Sequence, residues 1–145
     1  MTNGPREVVE MVRRIVAGED EDFASLFAED GVMEYPFAMP GQPRELRGRD
    51  AIRDYFAAAT ASRAVFEMDG VEALVRETDD SEVVVTEIEH HGRSTVTGQP
   101  YRFRALGVIR VRNGQIVSYQ DYMDSIALAR LLGKTTELAT ALTTG

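Results

Sequence analysis

The second half of the chain dictates most of what it can fold into. Four runs of alternating apolar and polar residues follow one another there, separated only by turns. The clearest run, 101–112, meets 115–124 at Asn113-Gly114, a dipeptide that accepts two positive φ values and closes a two-residue hairpin. Runs at 65–76 and 82–91 come before it, parted by the turn Asp79-Asp80-Ser81, and Gly98-Gln99-Pro100 reads as the turn into 101–112. Hairpin-linked strands make an antiparallel sheet, and such a sheet needs a second layer over one face.

The first half supplies that layer. Gly4-Pro5 opens a helix at a position where the missing proline N–H is not needed, and Val8, Val9, Met11, Val12, Ile15 and Val16 form its apolar stripe up to Gly18. Acidic residues at 19–22 suit the positive start of a short second helix carrying Phe23, Leu26 and Phe27, which Gly31 is expected to stop. A strand over 32–37 then runs into a loop holding Pro36, Pro40, Gly41 and Pro43. A third helix starts near 48–50 and buries Ile52, Tyr55 and Phe56. After the last strand, Asp124-Ser125 caps a helix over 126–132 that Gly133 ends, and the tail 134–145 is expected to be a loose helix or disordered. The order predicts one α+β domain over 1–133, with a curved sheet and N-terminal helices enclosing a pocket.

Alternation assigns the two faces of the sheet. In 101–112, Tyr101, Phe103, Ala105, Gly107, Ile109 and Val111 share the face expected inside. The other face is cationic at both ends but carries Leu106 and Val108 at its middle, which points to a subunit interface. On 115–124 the inward set is expected to be Val117, Tyr119, Asp121 and Met123, and on 82–91 it is Val84, Thr86, Ile88 and His90. On the early strand, Met33 and Tyr35 are placed inward, because the alternative buries Glu34 without a partner.

Charge and composition remove several classes of function. A net charge of −8 disfavours nucleic acid and anionic lipid, and no apolar run is long enough to span a membrane. The start, Met1-Thr2-Asn3-Gly4-Pro5-Arg6-Glu7, does not read as a signal peptide, so a cytoplasmic protein is expected. With no cysteine there are no disulfides, thiolate nucleophiles or zinc–thiolate sites. No metal is expected: the acidic cluster lacks the glycine spacing of a calcium loop, and His90 and His91 point to opposite faces. No cofactor-binding fingerprint occurs, and a cofactor-free protein is expected.

What remains is a polar set on an apolar inner face: Asp121 and His90, with Tyr35 and Tyr119. A buried carboxylate has a raised pKa and can act as a general base toward carbon. A histidine beside it could orient it or polarise a carbonyl, and tyrosine hydroxyls could donate to an enolate or alkoxide. A buried pair that merely satisfies itself is the equal alternative.

Several segments in order resemble the SnoaL-like and ketosteroid isomerase-like proteins of the nuclear transport factor 2-like superfamily. They are Leu26-Phe27-Ala28-Glu29-Asp30-Gly31, Gly48-Arg49-Asp50-Ala51-Ile52, and the Asn113-Gly114 hairpin leading into Tyr119-Gln120-Asp121-Tyr122-Met123-Asp124. The resemblance spans 5–133 and implies a cone-shaped fold, dimerised through the outer sheet face at Leu106 and Val108. It also implies that Asp121 faces the cavity, where SnoaL-type cyclases and limonene epoxide hydrolase-like enzymes keep an acid or base. The stretch from Asp121 to Gly133 is similar to the phenazine-biosynthesis members, which carry a glutamate at the Asp121 position. Tyr35 stands where steroid isomerases carry their first-strand aspartate, Met11 where they carry a tyrosine, and Gly107 where they carry a second acid. Ile88 and His90 stand where the epoxide hydrolases carry arginine and aspartate, and Met33 and Tyr35 where they carry their water-binding residues. These departures disfavour both of those chemistries by their standard residue sets.

The expectation is therefore a cofactor-free isomerase or cyclase, of aldol or proton-transfer type, acting on a small apolar polyketide-like metabolite of secondary metabolism. Asp121, His90 and Tyr35 are the expected catalytic residues. Ile15, Met33, Phe56, Ile88, Phe103, Ala105, Tyr119 and Leu128 are expected to line the pocket. A non-catalytic binding protein, a pericyclic cyclase and an epoxide hydrolase-like enzyme are the alternatives.

Overall fold

A computed structural model describes residues 3–19, 22–60 and 66–144; the expected strand start at 65 and part of the acidic cluster at 19–22 lie outside them. Helix α1, Pro5–Val16, has proline in its first turn, Glu7 at its start and Arg13 and Arg14 at its end, as the helix dipole favours. Its stripe of Val8, Val9 and Val12 is 1% exposed. The second helix is only a 3₁₀ turn, Phe23–Leu26, started by the Asp22 side chain accepting from the Ser25 N–H.

Strand β1, Phe27–Glu34, begins earlier than the alternation suggests, and Phe27 belongs to it rather than to a helix. Gly31 does not stop a helix. It lies within β1, and a Cβ there would sit 2.8 Å from the Ile116 carbonyl oxygen, so glycine permits close strand approach. A short β2, Glu45–Arg47, pairs antiparallel with β1, and α2, Arg49–Thr60, follows with Ile52 fully buried. Then come β3, Phe66–Glu77, β4, Val83–Ser94, β5, Pro100–Arg112, and β6, Gln115–Met123. The β5–β6 turn has φ of 53° at Asn113 and 77° at Gly114, the pair of positive values its sequence was chosen for.

The sheet order is β2-β1-β6-β5-β4-β3. All pairings are antiparallel except β1 with β6, so the sheet is mixed rather than wholly antiparallel. The hairpin starts with Arg112 opposite Gln115 and Val111 opposite Ile116, but Arg110 then faces Ser118. Val117 is therefore bulged out of register, and Ile116, fully buried, takes the core position expected of Val117. An uninterrupted ladder would have set Asp121 opposite Leu106 on the outer face. The bulge sets it opposite Gly107 on the inner one.

The inner face is closed at one end, where Ile109, Val111 and Ile116 meet the valines of α1 at 0–4% exposure. Toward the other end Val71, Ala73, Phe103 and Ala105 pack against the same cluster but remain partly exposed. Helix α3, Ser125–Leu131, capped by the Asp124 side chain, crosses β5 at this second end. The Ser94 hydroxyl anchors it by donating to the Leu131 carbonyl at 2.7 Å. The tail is a regular helix, α4, Thr135–Thr144, packed on α3 with no buried residue. On the outer face Leu106 is 37% exposed and Val108 half-buried, leaving the middle of that face open. Among the described residues no helix is long and apolar enough to cross a membrane.

Candidate active site

Asp121 sits between two buried neighbours of its own strand face, Tyr119 and Met123. Its cross-strand partner Gly107 has no side chain, and a Cβ there would lie 3.2 Å from the Tyr119 ring and 3.4 Å from its hydroxyl. The missing side chain thus gives the Tyr119 ring its place across β5, with its hydroxyl over Gly107 and beside the carboxylate. On the other side of β6, the parallel pairing Met33–Tyr119 and Glu34–Gln120 leads directly to Tyr35 alongside Asp121. Met33 and Tyr35 both point inward, 2% and 4% exposed, as expected.

The electrostatics follow from this packing. Among the described residues, Asp121 Oδ1 is the buried side-chain oxygen that has no hydrogen-bond partner. Burial without a countercharge disfavours the carboxylate and pushes the Asp121 pKa up to about 7. Burial, and then the Asp121 charge, raises both Tyr35 and Tyr119 above the ordinary phenol range, so both stay protonated donors. Among the described residues, the Tyr35 hydroxyl donates to the Met33 thioether at 3.6 Å, a weak acceptor that a ligand oxygen can replace. Tyr119 is held in an aromatic packet, with Phe23 and Phe27 centroids at 5.9 and 6.4 Å.

His90 is not part of this centre. It faces Phe103 on β5, whereas Asp121 faces Gly107, so four residues of strand separate their cross-strand positions. That is about 13 Å along the sheet, with β5 itself lying between the two strands. The expected His90–Asp121 pair does not form. Instead His90 Nδ1 is 2.8 Å from the Tyr101 hydroxyl. Phe66, Phe103 and Tyr101 surround the imidazole at centroid distances of 5.2–5.6 Å from it or from one another. Burial, and then the neighbouring His91, lowers the His90 pKa to about 4 and keeps the ring neutral near pH 7. Across β5 from Asp121 stands Thr86 instead, but its hydroxyl donates to the Leu74 carbonyl at 3.0 Å.

The expected lining residues divide by depth. Met33, Ile88 and Tyr119 are buried in the core cluster, Phe56, Phe103, Ala105 and Leu128 are partly buried against it, and Ile15 is buried on α1. Tyr101 and Phe66 were absent from the expected site, although alternation places Tyr101 inward. Strand register was the missing information. Tyr101 also lines a groove of about 510 Å³ between the β4–β5 turn and α3, shared with Ser94, Arg130 and Leu131.

The chain is similar to known proteins in both sequence and fold. The SnoaL-like domain family matches residues 8–119. The uncharacterised protein YesE of Bacillus subtilis is 30% identical over 113 residues, 78% of this chain and 76% of its own. An uncharacterised PhzA/B-like protein of Pseudomonas aeruginosa is 28% identical over 131 residues, 90% of this chain and 91% of its own. A solved Bacillus subtilis protein, provisionally named an isomerase, superposes with a TM-score of 0.77 at 27% identity, over 89% of this chain and 92% of that one. The fold is the nuclear transport factor 2-like α+β fold.

Proposed function

We propose that this chain, which belongs to the SnoaL-like domain family, is a cofactor-free isomerase or cyclase that moves a proton on a small, largely apolar, polyketide-like metabolite. One observation carries the reading: Asp121 presents a buried oxygen with no hydrogen-bond partner on the inner face. A pKa near 7 lets that carboxylate both take and return a proton close to neutrality, as a general base must in isomerisation or aldol closure. As base, Asp121 removes a proton from carbon next to a carbonyl, and the C–H electron pair becomes an enolate. The hydroxyls of Tyr35 and Tyr119, kept protonated by burial, donate to the enolate oxygen. Protonated Asp121 then delivers its proton to a different carbon in an isomerisation, or to the alkoxide after ring closure. His90 takes no part in that transfer, because the register holds it on a separate stretch of the sheet.

The test uses a fused bicyclic ketone, β-tetralone, in deuterium oxide, with exchange beside its carbonyl followed by proton NMR. The wild-type chain is expected to accelerate exchange, and Asp121→Asn to reduce the acceleration by about 100-fold or more. Undiminished exchange in Asp121→Asn removes Asp121 as the base.

A further inference from the structure

The partly open end of the inner face contains a second polar group that proton transfer at Asp121 does not use. His90 and Tyr101 are hydrogen-bonded to each other and boxed by Phe66 and Phe103, and Tyr101 is reached from the groove beside α3. We infer that His90 and Tyr101 form a distal binding subsite that takes a hydroxyl group, so that the chain selects an elongated ligand polar at both ends and apolar between. The inference rests on Asp121 being the polar anchor of the other end.

Hydrogen-bond accounting shows why a hydroxyl fits. If the Tyr101 hydroxyl donates to His90 Nδ1, then Nε2 carries a hydrogen and can donate, while the phenol oxygen can still accept. If instead Nδ1–H donates to the phenol oxygen, Nε2 accepts and the phenol hydrogen is free to donate. Either tautomer leaves the pair one donor and one acceptor, the complement of a hydroxyl, which is itself both. Neutrality of the ring, enforced by its burial, preserves this arrangement near pH 7.

The ground between the two polar ends is apolar. From Gly107 opposite Asp121 to Phe103 opposite His90, the inward residue of β5 is Ala105, with Ile88 beside it on β4 and Ala73 beyond on β3. Ala105 and Phe103 are half-buried although they face the helices, so this strip is not sealed as the Ile109 end is. The polar ends are about 13 Å apart along β5, and inward-pointing side chains on a curved sheet shorten the gap a ligand must bridge. A compact ligand with one polar group can satisfy only one end.

Three biphenyl phenols test the spacing by isothermal titration against the full chain: para-hydroxybiphenyl, para,para′-dihydroxybiphenyl and ortho,ortho′-dihydroxybiphenyl. The para,para′ compound is expected to bind about fivefold tighter than the mono-phenol, the effect of one added hydrogen bond, and the ortho,ortho′ isomer is expected to gain nothing. His90→Phe, which keeps the ring stack, and Tyr101→Phe should each reduce the preference to within about twofold. His90→Gln, which restores a donor and an acceptor, should recover most of it. Melting curves identify any variant that does not fold, and the comparison then rests on the others. Equal binding of all three phenols by the wild type, no binding of any, or an unchanged preference in folded His90→Phe would overturn the distal subsite. If Asp121→Asn binds both para compounds as the wild type does, the anchor reading fails instead.

Discussion

The inner face of this sheet is built in two ways by the same strands. At the Ile109 end, Val111, Ile116 and the α1 valines leave almost no accessible surface. At the Phe103 end, the same alternation on the same strand leaves Phe103, Ala105, Val71 and Ala73 half-covered. Strand patterning is identical at both, so patterning does not decide burial. The cover does. A helix of 12 residues with its stripe turned inward lies over the first end, while the helix that crosses β5 at the second has 7 residues. The inner face stays partly open where the second layer runs short, and the hydrogen-bonded His90–Tyr101 pair lies at that end.

Three measurements separate the two ends. The largest effect belongs to the closed one. Ile109→Ala is expected to cost about 4 kcal/mol in urea unfolding, from lost burial plus an unrelaxed cavity, and Phe103→Ala less than half as much. Equal costs would break the distinction.

The second effect concerns pH. Burial raises Asp121 to about 7 in the folded chain, against about 4 in an unfolded one. Between those values the folded chain holds a proton that the unfolded chain has released, so stability falls as pH rises through that window. Asp121→Asn lacks this dependence. It should match the wild type near pH 4 and exceed it by roughly 2–4 kcal/mol near pH 8. A difference between the two proteins that is flat in pH would remove the buried, partnerless carboxylate from the account.

The smallest effect tests what frames the open end. The Ser94 hydroxyl, 1% exposed, donates to Leu131 and accepts from the Val96 and Thr97 N–H groups. Ser94→Ala should cost about 2 kcal/mol by leaving these groups unpaired. Faster amide hydrogen exchange should appear in α3 and not in α1; uniform exchange would mean that α3 does not depend on this anchor.

What the sequence made legible was local. The Asn113-Gly114 turn, the α1 stripe, the inward Met33 and Tyr35, and the two faces of 101–112 follow from dihedral preference and periodicity within a dozen residues. The inward placement of Asp121 was correct, but alternation alone does not justify it. From the hairpin turn, an unbroken ladder puts Asp121 on the outer face, and only the bulge at Val117 reverses it. A bulge leaves little trace in a hydrophobic pattern, since Ile116 and Val117 are both good strand residues. The error over His90 has a similar origin. Which face a side chain occupies is read from its own strand, but its distance from a residue two strands away depends on two turns and every register shift between them. The parallel contact of β1 with β6 was likewise out of reach, because no local turn specifies it.

That parallel contact has a consequence in time. The Gln120 amide nitrogen lies 3.4 Å from the Glu34 carboxylate, across 86 residues of sequence, and Tyr35 and Asp121 are the next residues along the two strands. A ribosome adding 5–20 residues per second delivers β1 roughly 4–17 seconds before the strand it must lie beside. The four-strand meander from β3 to β6 can pair neighbour to neighbour as it emerges, whereas β1 waits for the final strand. The pairing of Tyr35 with Asp121 is therefore among the last features assembled, and an incomplete nascent chain holds Tyr35 with no carboxylate beside it.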